Sequence, residues 1–233
     1  MRNTEEQIYL ENYDKNQFDR PSVAVDLLVL TANQGDIEVL LVKRKEHPFK
    51  DYYALPGVFV GIDESLDDAV KRGLKEETGL SDIYMEQLYT WGRVDRDPRM
   101  RIISVSYIAL VAKSKINPVA CQRVSEIQWQ KVSLENIESL KGKLAFDHAE
   151  MIKYALERLK NKVEYTPVAF HMIDEEFTLP YLQTVYEALS GKKLFKANFR
   201  KKIQDLVVET GNSTEGDAHR PSKYYRYKFL EQK

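Results

Sequence analysis

The sequence predicts an α+β protein in which a mixed sheet lies between helices and a smaller unit of two helices and a β-wing follows. Two observations support this class. Apolar runs rich in β-branched residues alternate with helical patterns over most of the chain, which indicates layers of sheet and helix. The last part changes to two amphipathic patterns and an alternating aromatic run. This change places a domain boundary near residue 165.

The strand predictions rest on composition and period. VAVDLLVLTA (23–32) and EVLLVKRK (38–45) are joined by the turn-like NQGD, which indicates a hairpin. RIISVSYIALVA (101–112) and EIQWQKV (126–132) are two further apolar runs. Together these segments predict the sheet.

Two helices are predicted beside these strands. SLDDAVKRGLKEET (65–78) has helical apolar spacing, with Ser65 as the expected N-cap and Gly79 as the C-terminal stop. DHAEMIKYALERLKNKV (147–163) is the second helix, and Asp147 is its candidate N-cap.

The C-terminal unit begins after a predicted linker, EYTPVAFHMIDEEF (164–177). TLPYLQTVYEALSG (178–191) has Thr178 as a candidate cap and a clear apolar stripe. YYRYKF (224–229) alternates as a strand. Between them, FKANFRKKIQDLVV carries a second apolar stripe at Phe195, Phe199, Ile203, Leu206 and Val207.

Bulk composition excludes several classes of protein. The 233 residues are 43% hydrophobic and 30% charged, and no stretch approaches the roughly 18 apolar residues of a membrane helix. The charged, polar start is unlike a secretory signal. Cys121 is the single cysteine, which excludes an internal disulfide and a cysteine-rich zinc site. We expect a cytoplasmic protein with no membrane partner.

The net charge of −1 conceals an asymmetry. Residues 191–233 contain 11 Lys and Arg against 5 Asp and Glu, a net charge of +6, whereas the preceding residues carry a net charge of −7. A positive charge gathered in one segment indicates a polyanionic partner.

Residues 57–80, GVFVGIDESLDDAVKRGLKEETGL, resemble the Nudix box G-x5-E-x7-R-E-U-x-E-E-x-G-U, in which U is aliphatic. Two positions depart from it: Val58 stands at the opening glycine and Gly73 at the glutamate after the arginine. The resemblance implies a Nudix-fold mixed sheet sandwiched by helices. The matching positions are Glu64, Arg72, Leu74, Glu76, Glu77, Gly79 and Leu80.

Gly73 bears directly on catalysis. At about 3.6 residues per turn, positions 73, 76 and 77 share one helix face, where three carboxylates would hold Mg²⁺ through oxygen ligands. We therefore expect no catalytic residue and no required cofactor, with Glu76 and Glu77 as a weak candidate pair for Mg²⁺. If the chain is an enzyme, the resemblance implies Glu64, Arg72, Glu76 and Glu77 as its catalytic residues.

Over nearly its full length the chain resembles the Nudix-related transcriptional regulators (NrtR). WGRVDRDPRMRIISVSYIAL (91–110), FTLPYLQTVYEALSGKKLFKANFRKKI (177–203) and HRPSKYYRYKF (219–229) carry this resemblance. It implies a Nudix domain followed by a winged helix that binds operator DNA, a homodimer, and release of DNA when a small ligand binds. The ligand is ADP-ribose in the branch that controls NAD metabolism, and a similar branch responds to the pentose arabinose. The effector therefore stays open.

Two sets of binding residues are predicted. Arginine forks suit phosphate and carboxylate groups, so the candidate effector ligands are Arg96 and Arg99 of the RDPR turn, with Glu76 and Glu77. The alternative for these arginines is an internal salt bridge to Asp95 or Asp97, or a dimer contact. The candidate DNA contacts belong to the last helix and the wing: Asn198, Arg200, Lys201, Lys202, Arg220, Lys223 and Arg226.

The sequence thus predicts a ligand-responsive DNA-binding transcriptional regulator, and we expect a repressor. Residues 1–165 form a Nudix-fold effector-binding domain that senses ADP-ribose or a related nucleotide or sugar, and residues 166–233 form a winged-helix DNA-binding domain. The main alternative is an active Mg²⁺-dependent hydrolase similar to ADP-ribose pyrophosphatase, and a third is a winged helix that binds protein. Gly73 argues against hydrolysis, and the basic tail favours nucleic acid.

Overall fold

A computed structural model describes residues 4–81, 83–115, 124–214 and 221–229 of the chain. Within this described part, no helix has the length and apolar character needed to cross a membrane. In chain order the helices and strands are α1 (Thr4–Asn12), β1 (Ser22–Asn33), β2 (Asp36–Arg44), β3 (Tyr53–Ala54), β4 (Gly57–Phe59), α2 (Leu66–Thr78), β5 (Tyr84–Trp91), β6 (Ile102–Leu110), β7 (Val124–Lys131), α3 (His148–Lys162), β8 (Phe177–Thr178), α4 (Leu179–Ser190), α5 (Lys196–Ile203), β9 (Val207–Ser213) and β10 (Lys223–Tyr227).

A seven-stranded mixed sheet forms the larger part of the fold. Its main path runs β3-β2-β1-β6-β5, while β4 pairs with β1 and β7 pairs with β2. β1 and β6 are parallel, with Leu30 opposite Leu110. β1 and β2 form the predicted hairpin, whose turn has positive φ angles at Gln34 (51°) and Gly35 (85°). Positive φ at both central positions is the type I′ geometry, which matches the twist of the flanking strands.

β1 is buried on both faces because helices cover both sides of the sheet. Leu27 and Val29 belong to the same hydrophobic cluster as Leu74 of α2. Leu28 and Leu30 lie on the opposite face, in a core that also contains side chains of α3, α4 and α5. Burial on both faces explains why β1 is apolar at most consecutive positions rather than at alternate ones.

The two large helices begin differently. At the start of α2, the hydroxyl of Ser65 accepts a hydrogen bond from the N–H of Asp68 at 3.2 Å, and Gly79 ends the helix with a φ of 73°. Both caps are confirmed. Asp147 occupies the N-cap position of α3, but its side chain makes no capping hydrogen bond. The predicted N-cap position is confirmed, but the side chain does not cap the helix, because its carboxylate is bonded to Arg96 instead.

The C-terminal helices and wing pack onto the mixed sheet. β8, β10 and β9 form a three-stranded sheet, and α4 begins at its predicted cap, where the hydroxyl of Thr178 accepts from the N–H of Tyr181. Leu182 and Val185 of α4 are fully buried, in the cluster that also holds one face of β1. The hydroxyl of Tyr181 donates to the carbonyl of Ala32 at 3.2 Å. The two parts of the chain therefore share one hydrophobic core.

Three segments differ from the sequence prediction. The predicted linker contains a short 3-10 helix, Val168–Met172, with Val168, Ala169 and Met172 buried, so this segment is part of the core. Both α1 and β5 were absent from the prediction. α1 buries no side chain, and β5 is an edge strand in which Leu88 alone is buried. Neither has the apolar periodicity that identifies an element in a sequence.

The fifth helix is also shorter than its predicted apolar stripe. Phe199 and Ile203 are buried as expected, but Phe195 lies at the N-cap and is 80% exposed. The helix ends at Ile203, so Leu206 and Val207 lie beyond it, in the turn and strand that lead into the wing. The apolar pattern of the sequence continues past the end of the helix, because the helix and the strand that follows it pack on the same core.

A buried cluster of polar groups joins α3 to the sheet. Arg96, between β5 and β6, is 6% exposed and donates Nε and Nη2 to Asp147 at 3.0 and 2.8 Å. Its Nη2 also lies 3.5 Å from Asp26 of β1. The Nδ1 of His148 accepts from the N–H of Leu55 at 2.9 Å, and its Nε2 lies 3.7 Å from Asp26. The cluster fixes the RDPR loop and the start of α3 against β1.

Burial lowers the pKa of His148 from 6.5, against the opposing effect of Asp26 and Asp147. The unfolded chain therefore binds this proton more readily, so the stability contribution is complete above pH 6.5 and is lost as pH falls below it. We expect His148→Gln to flatten the pH dependence between about pH 7.5 and 5.5, where each pH unit costs wild type at most about 1.4 kcal/mol. Urea unfolding measures both slopes; equal slopes would contradict a buried neutral imidazole.

Candidate functional site

A single arginine holds the carboxylates at the outer side of α2. Arg72 donates Nε and Nη2 to Glu64 at 3.1 and 2.5 Å, and Nη1 to Glu76 at 3.3 Å. Its Nη2 also donates to the carbonyl of Phe59. The hydrogen bonds from Arg72 and from the N–H of Gly61 lower the pKa of Glu64 to about 2. Glu64 and Glu76 thus serve as partners of the arginine in this structure.

Gly73 and Glu77 lie on the inner side of the same helix. Glu77 is 7% exposed and lines a cleft, whereas Glu76 is exposed outside it. Gly73 is buried beneath Val58 of β4. Over the residues that the structure describes, no group of three or more His, Cys, Asp or Glu side chains could hold a metal ion. Of the candidate Mg²⁺ pair, Glu77 therefore faces the cleft and Glu76 does not.

A cleft of about 530 Å³ opens between α2, the sheet and the RDPR loop. Its lining combines guanidinium groups, carboxylates and aromatic rings with apolar strand side chains. Guanidinium forks bind phosphate or carboxylate, and aromatic faces accept flat rings or cations. The cleft therefore suits an anionic ligand of moderate size. The arginines are Arg44, Arg96 and Arg99, the carboxylates Asp26, Glu46, Glu77 and Asp97, and the aromatic rings Phe59 and Phe146.

Arg44 and Arg99 are the accessible arginines of this lining. The side chain of Arg99 is 40% exposed, and its Nε and Nη2 donate to Asp97 at 3.0 and 2.8 Å. Its guanidinium carbon lies 5.6 Å from the ring centre of Phe59, and that of Arg44 lies 4.9 Å from Phe146. Burial, and then the charge of Arg99, lower the pKa of Arg44. A bound anion would relieve the repulsion between these two cations.

The cleft collects three of the four predicted effector residues. Arg96, Arg99 and Glu77 line it, and Glu76 does not. The guanidinium group of Arg96 is bound to Asp147 beneath the cleft. This is an internal salt bridge, but its partner is neither Asp95 nor Asp97, the two carboxylates that the alternative named. Arg99 does make the salt bridge of that alternative, to Asp97. Sequence reasoning missed Arg44, Phe59 and Phe146, which lie on three separate segments that only the fold brings together.

A cationic face lies on α5 in the C-terminal unit. Phe199 and Ile203 anchor this helix in the core, and Asn198, Arg200 and Lys201 are exposed on its other sides. Within the described residues, these three side chains make no ion pair or hydrogen bond. Lys202 differs, because its Nζ pairs with Glu164 at 2.9 Å.

The turn between α4 and α5 sets the direction of this helix. Glu187 of α4 accepts from the N–H of Leu194 at 3.0 Å and pairs with Lys193 at 2.9 Å. Hydrogen bonds from Lys193, Gln183 and the N–H of Leu194 lower the pKa of Glu187 to about 2. A carboxylate held in this way ties the two helices together at their turn.

The wing continues the cationic face. Arg226 is exposed with no ion pair among the described residues, and Lys223 pairs with Glu209 at 2.8 Å. Tyr227 turns inward and stacks on Phe170 at 4.5 Å, which confirms the predicted alternation of this strand. Arg220 lies outside the described residues. The remaining predicted DNA contacts therefore lie on α5 and β10.

Comparison with known protein families matches the chain in two pieces. The NUDIX domain matches residues 20–155, and the NrtR DNA-binding winged helix domain matches residues 169–227. The cleft and the buried polar cluster of Arg96, Asp26, Asp147 and His148 lie within the first match. The cationic face of α5 lies within the second match.

Three relatives show the same organisation or part of it. The ADPR responsive transcriptional repressor NtrR of Acinetobacter baylyi is 36% identical over 95% of this chain and 88% of its own length. NrtR of Shewanella oneidensis, crystallised with a 27mer DNA, is 37% identical with a TM-score of 0.76, covering 88% of this chain and 93% of that one. Its NUDIX domain, crystallised with ADP ribose, matches 66% of this chain and 98% of that one with a TM-score of 0.58.

The third relative is an enzyme and matches the Nudix part. The ADP-ribose pyrophosphatase of Methanocaldococcus jannaschii is 39% identical over 57% of this chain and 72% of its own length. The repressor relative extends through both matched domains, whereas the enzyme does not. The chain belongs to the Nudix family, in the branch that joins a Nudix domain to an NrtR-type winged helix.

Proposed function

We propose that the chain is a transcriptional repressor that binds operator DNA through residues 166–233 and senses ADP-ribose in the cleft of residues 1–165. One observation carries the proposal: an arginine-lined cleft and an exposed cationic helix face occur in one chain and share one core. The relatives support it, because one is described as an ADPR responsive repressor and another was crystallised with DNA and with ADP ribose.

The proposal includes a homodimer working in the cytoplasm, where a regulator meets the genome. A single winged helix contacts a short stretch of duplex, and a two-fold dimer reads two half-sites one helical turn or more apart. Pentose sugars are the alternative effector class. They lack the phosphate groups that would occupy Arg44 and Arg99, so the cleft favours ADP-ribose.

Hydrolysis of ADP-ribose is the second candidate function, and the pyrophosphatase relative favours it. The geometry of α2 opposes it, since Gly73 offers no ligand and Arg72 already binds Glu64 and Glu76. A winged helix that binds protein is the third candidate. Arg200 and Lys201, which are exposed and make no ion pair with any residue that the structure describes, favour a polyanion over a protein surface.

The third helix offers a physical link between cleft and DNA-binding face. Its start holds Asp147 and His148 beneath the cleft. At about 1.5 Å per residue, its 15 residues span roughly 22 Å. Just beyond its end, Glu164 pairs with Lys202 of α5. A ligand that shifts the RDPR loop would therefore act on α3. The residues just beyond the end of α3 contact α5 through the ion pair between Glu164 and Lys202.

Replacing Lys201 should weaken binding to every duplex, because the lost phosphate contact is independent of sequence. We expect Lys201→Ala to reduce the slope of log affinity against log salt by about 1. Lys202→Ala should reduce it less, since Glu164 already neutralises that lysine. Fluorescence anisotropy at several salt concentrations measures both slopes.

Lys143→Ala is the matched control for this series, because Lys143 is exposed and lies on a loop of the Nudix domain. It should leave the slope unchanged. A slope for Lys201→Ala equal to that of the control would place α5 away from the DNA backbone.

Replacing Arg99 should remove the ligand response and leave DNA binding intact. Loss of a charge-assisted hydrogen bond weakens ADP-ribose binding by roughly 10- to 100-fold. In wild type, ADP-ribose at 100 times its Kd should stabilise the fold by about 2.7 kcal/mol. Thermal shift and mobility-shift titrations with ADP-ribose and with arabinose measure these effects. Arg93→Ala, in the same loop but outside the cleft lining, is the control. An Arg99→Ala protein that responds like this control would make the arginine structural.

A further inference from the structure

Phe195 is an aromatic side chain that stays in water at the start of the cationic helix α5. It is 80% exposed, whereas Phe199, one helical turn later, is 2% exposed and belongs to the core. Its ring makes no contact with another aromatic ring or a cation among the residues that the structure describes. The side chain therefore contributes little to the stability of the fold.

The position of Phe195 in the helix favours a different type of residue. Phe195 is the N-cap of α5, and its side chain makes no capping hydrogen bond. Serine, threonine, asparagine and aspartate stabilise an N-cap, because their side-chain oxygens accept hydrogen bonds from the free N–H groups of the first turn. A phenylalanine here leaves the helix without that cap. Such departures from local preference are expected where a side chain serves binding.

The backbone on both sides of this ring is held in place. The N–H of Leu194 donates to Glu187 of α4 at 3.0 Å, and the carbonyl of Leu194 accepts from Nε2 of Gln183 at 2.8 Å. The carbonyl of Phe195 accepts the helical hydrogen bond from the N–H of Phe199 at 2.9 Å. The exposed ring is thus carried by a fixed backbone and loses little conformational freedom when it binds a partner.

Polar and cationic side chains surround this ring on the surface of the C-terminal unit. Lys192 and Lys196 are exposed on either side of it in sequence, and Asn198 and Lys201 are exposed further along α5. Lysines on such a surface contact phosphates, while the first residues of a recognition helix contact the edges of bases. A recognition helix lies in the major groove, where thymine is the one base of the four that presents a methyl group.

We propose that Phe195 contacts the C5-methyl group of a thymine in each half-site and thereby contributes to sequence specificity. An apolar ring distinguishes this methyl group from the polar edges of the other bases, which the neighbouring lysines do not. Loss of one methyl contact should weaken binding by about 4-fold. The inference rests on the proposed function, because it requires α5 to lie in the major groove of a duplex.

Replacing thymine by uracil tests this contact, because uracil lacks the methyl group and keeps the base pair. The probe is a duplex that the wild-type protein selects from a pool of random sequence, with each thymine replaced in turn by deoxyuridine. Fluorescence anisotropy at low salt, where phosphate contacts maintain the complex, gives each Kd. We expect one thymine of each half-site at which uracil weakens the wild type by about 4-fold and leaves Phe195→Ser unaffected.

Three further measurements separate this contact from a structural role. Phe195→Leu keeps an apolar side chain and should still distinguish thymine from uracil. Phe18→Ser is the matched control, since Phe18 is 66% exposed in the N-terminal segment, and it should behave like the wild type. Phe195→Ser should keep or raise the melting temperature, because serine is a good N-cap.

Distinct outcomes would overturn the contact or the function on which it rests. A uracil effect that is equal in the wild type and in Phe195→Ser at every thymine would overturn the methyl contact. Weaker binding of Phe195→Ser to thymine and uracil duplexes alike would overturn it as well. A Phe195→Ser protein that is monomeric where the wild type is dimeric would assign the ring to a protein interface. If the wild type selects no duplex, the proposed function fails and this inference fails with it.

Discussion

The cleft depends on the buried salt bridge between the guanidinium group of Arg96 and the carboxylate of Asp147. The bidentate contact of Arg96 with Asp147 and its approach to Asp26 join the RDPR loop, the start of α3 and the central strand β1. These charges lie almost wholly out of water. Removing one partner of such a pair leaves an uncompensated charge and costs about 3–5 kcal/mol. The loop is therefore held in place, and Arg99, three residues later, is presented to the cleft.

The same interaction fixes the position of the start of α3. The position of its other end is fixed by packing in the hydrophobic core that both parts of the chain share. Leu182 and Val185 of α4 lie in the cluster that contains Ile152 and Leu159 of α3. The helix α5, which carries predicted DNA contacts, packs in the same core as α3, and the start of α3 lies beneath the cleft. A ligand changes DNA affinity only through different affinities for two arrangements of these helices. The ion pair between Lys202 and Glu164 could form in one of these arrangements and be broken in the other.

The sequence predicted what local chemistry determines. The Asn-Gln-Gly-Asp hairpin, the caps of α2 at Ser65 and Gly79, and the inward face of Tyr227 follow from turn preference, capping and alternation. Arg44 and Phe146 could not be assigned to the cleft, because they are about a hundred residues apart and only the tertiary fold brings them together. The side-chain role of Asp147 could not be predicted for a related reason. Its position is that of a cap, but Arg96 competes for its carboxylate.

If the ligand cleft and the DNA-binding face are coupled, ADP-ribose and operator duplex must change each other's affinity by the same factor. Isothermal titration gives the Kd of ADP-ribose for the free protein and for its complex with operator duplex. Anisotropy gives the Kd of the duplex with and without saturating ADP-ribose. We expect the two ratios of Kd values to be equal, in the typical range of about 5- to 150-fold, with each ligand weakening the binding of the other. Ratios of one in both titrations would show that the two sites are independent and would contradict the coupling.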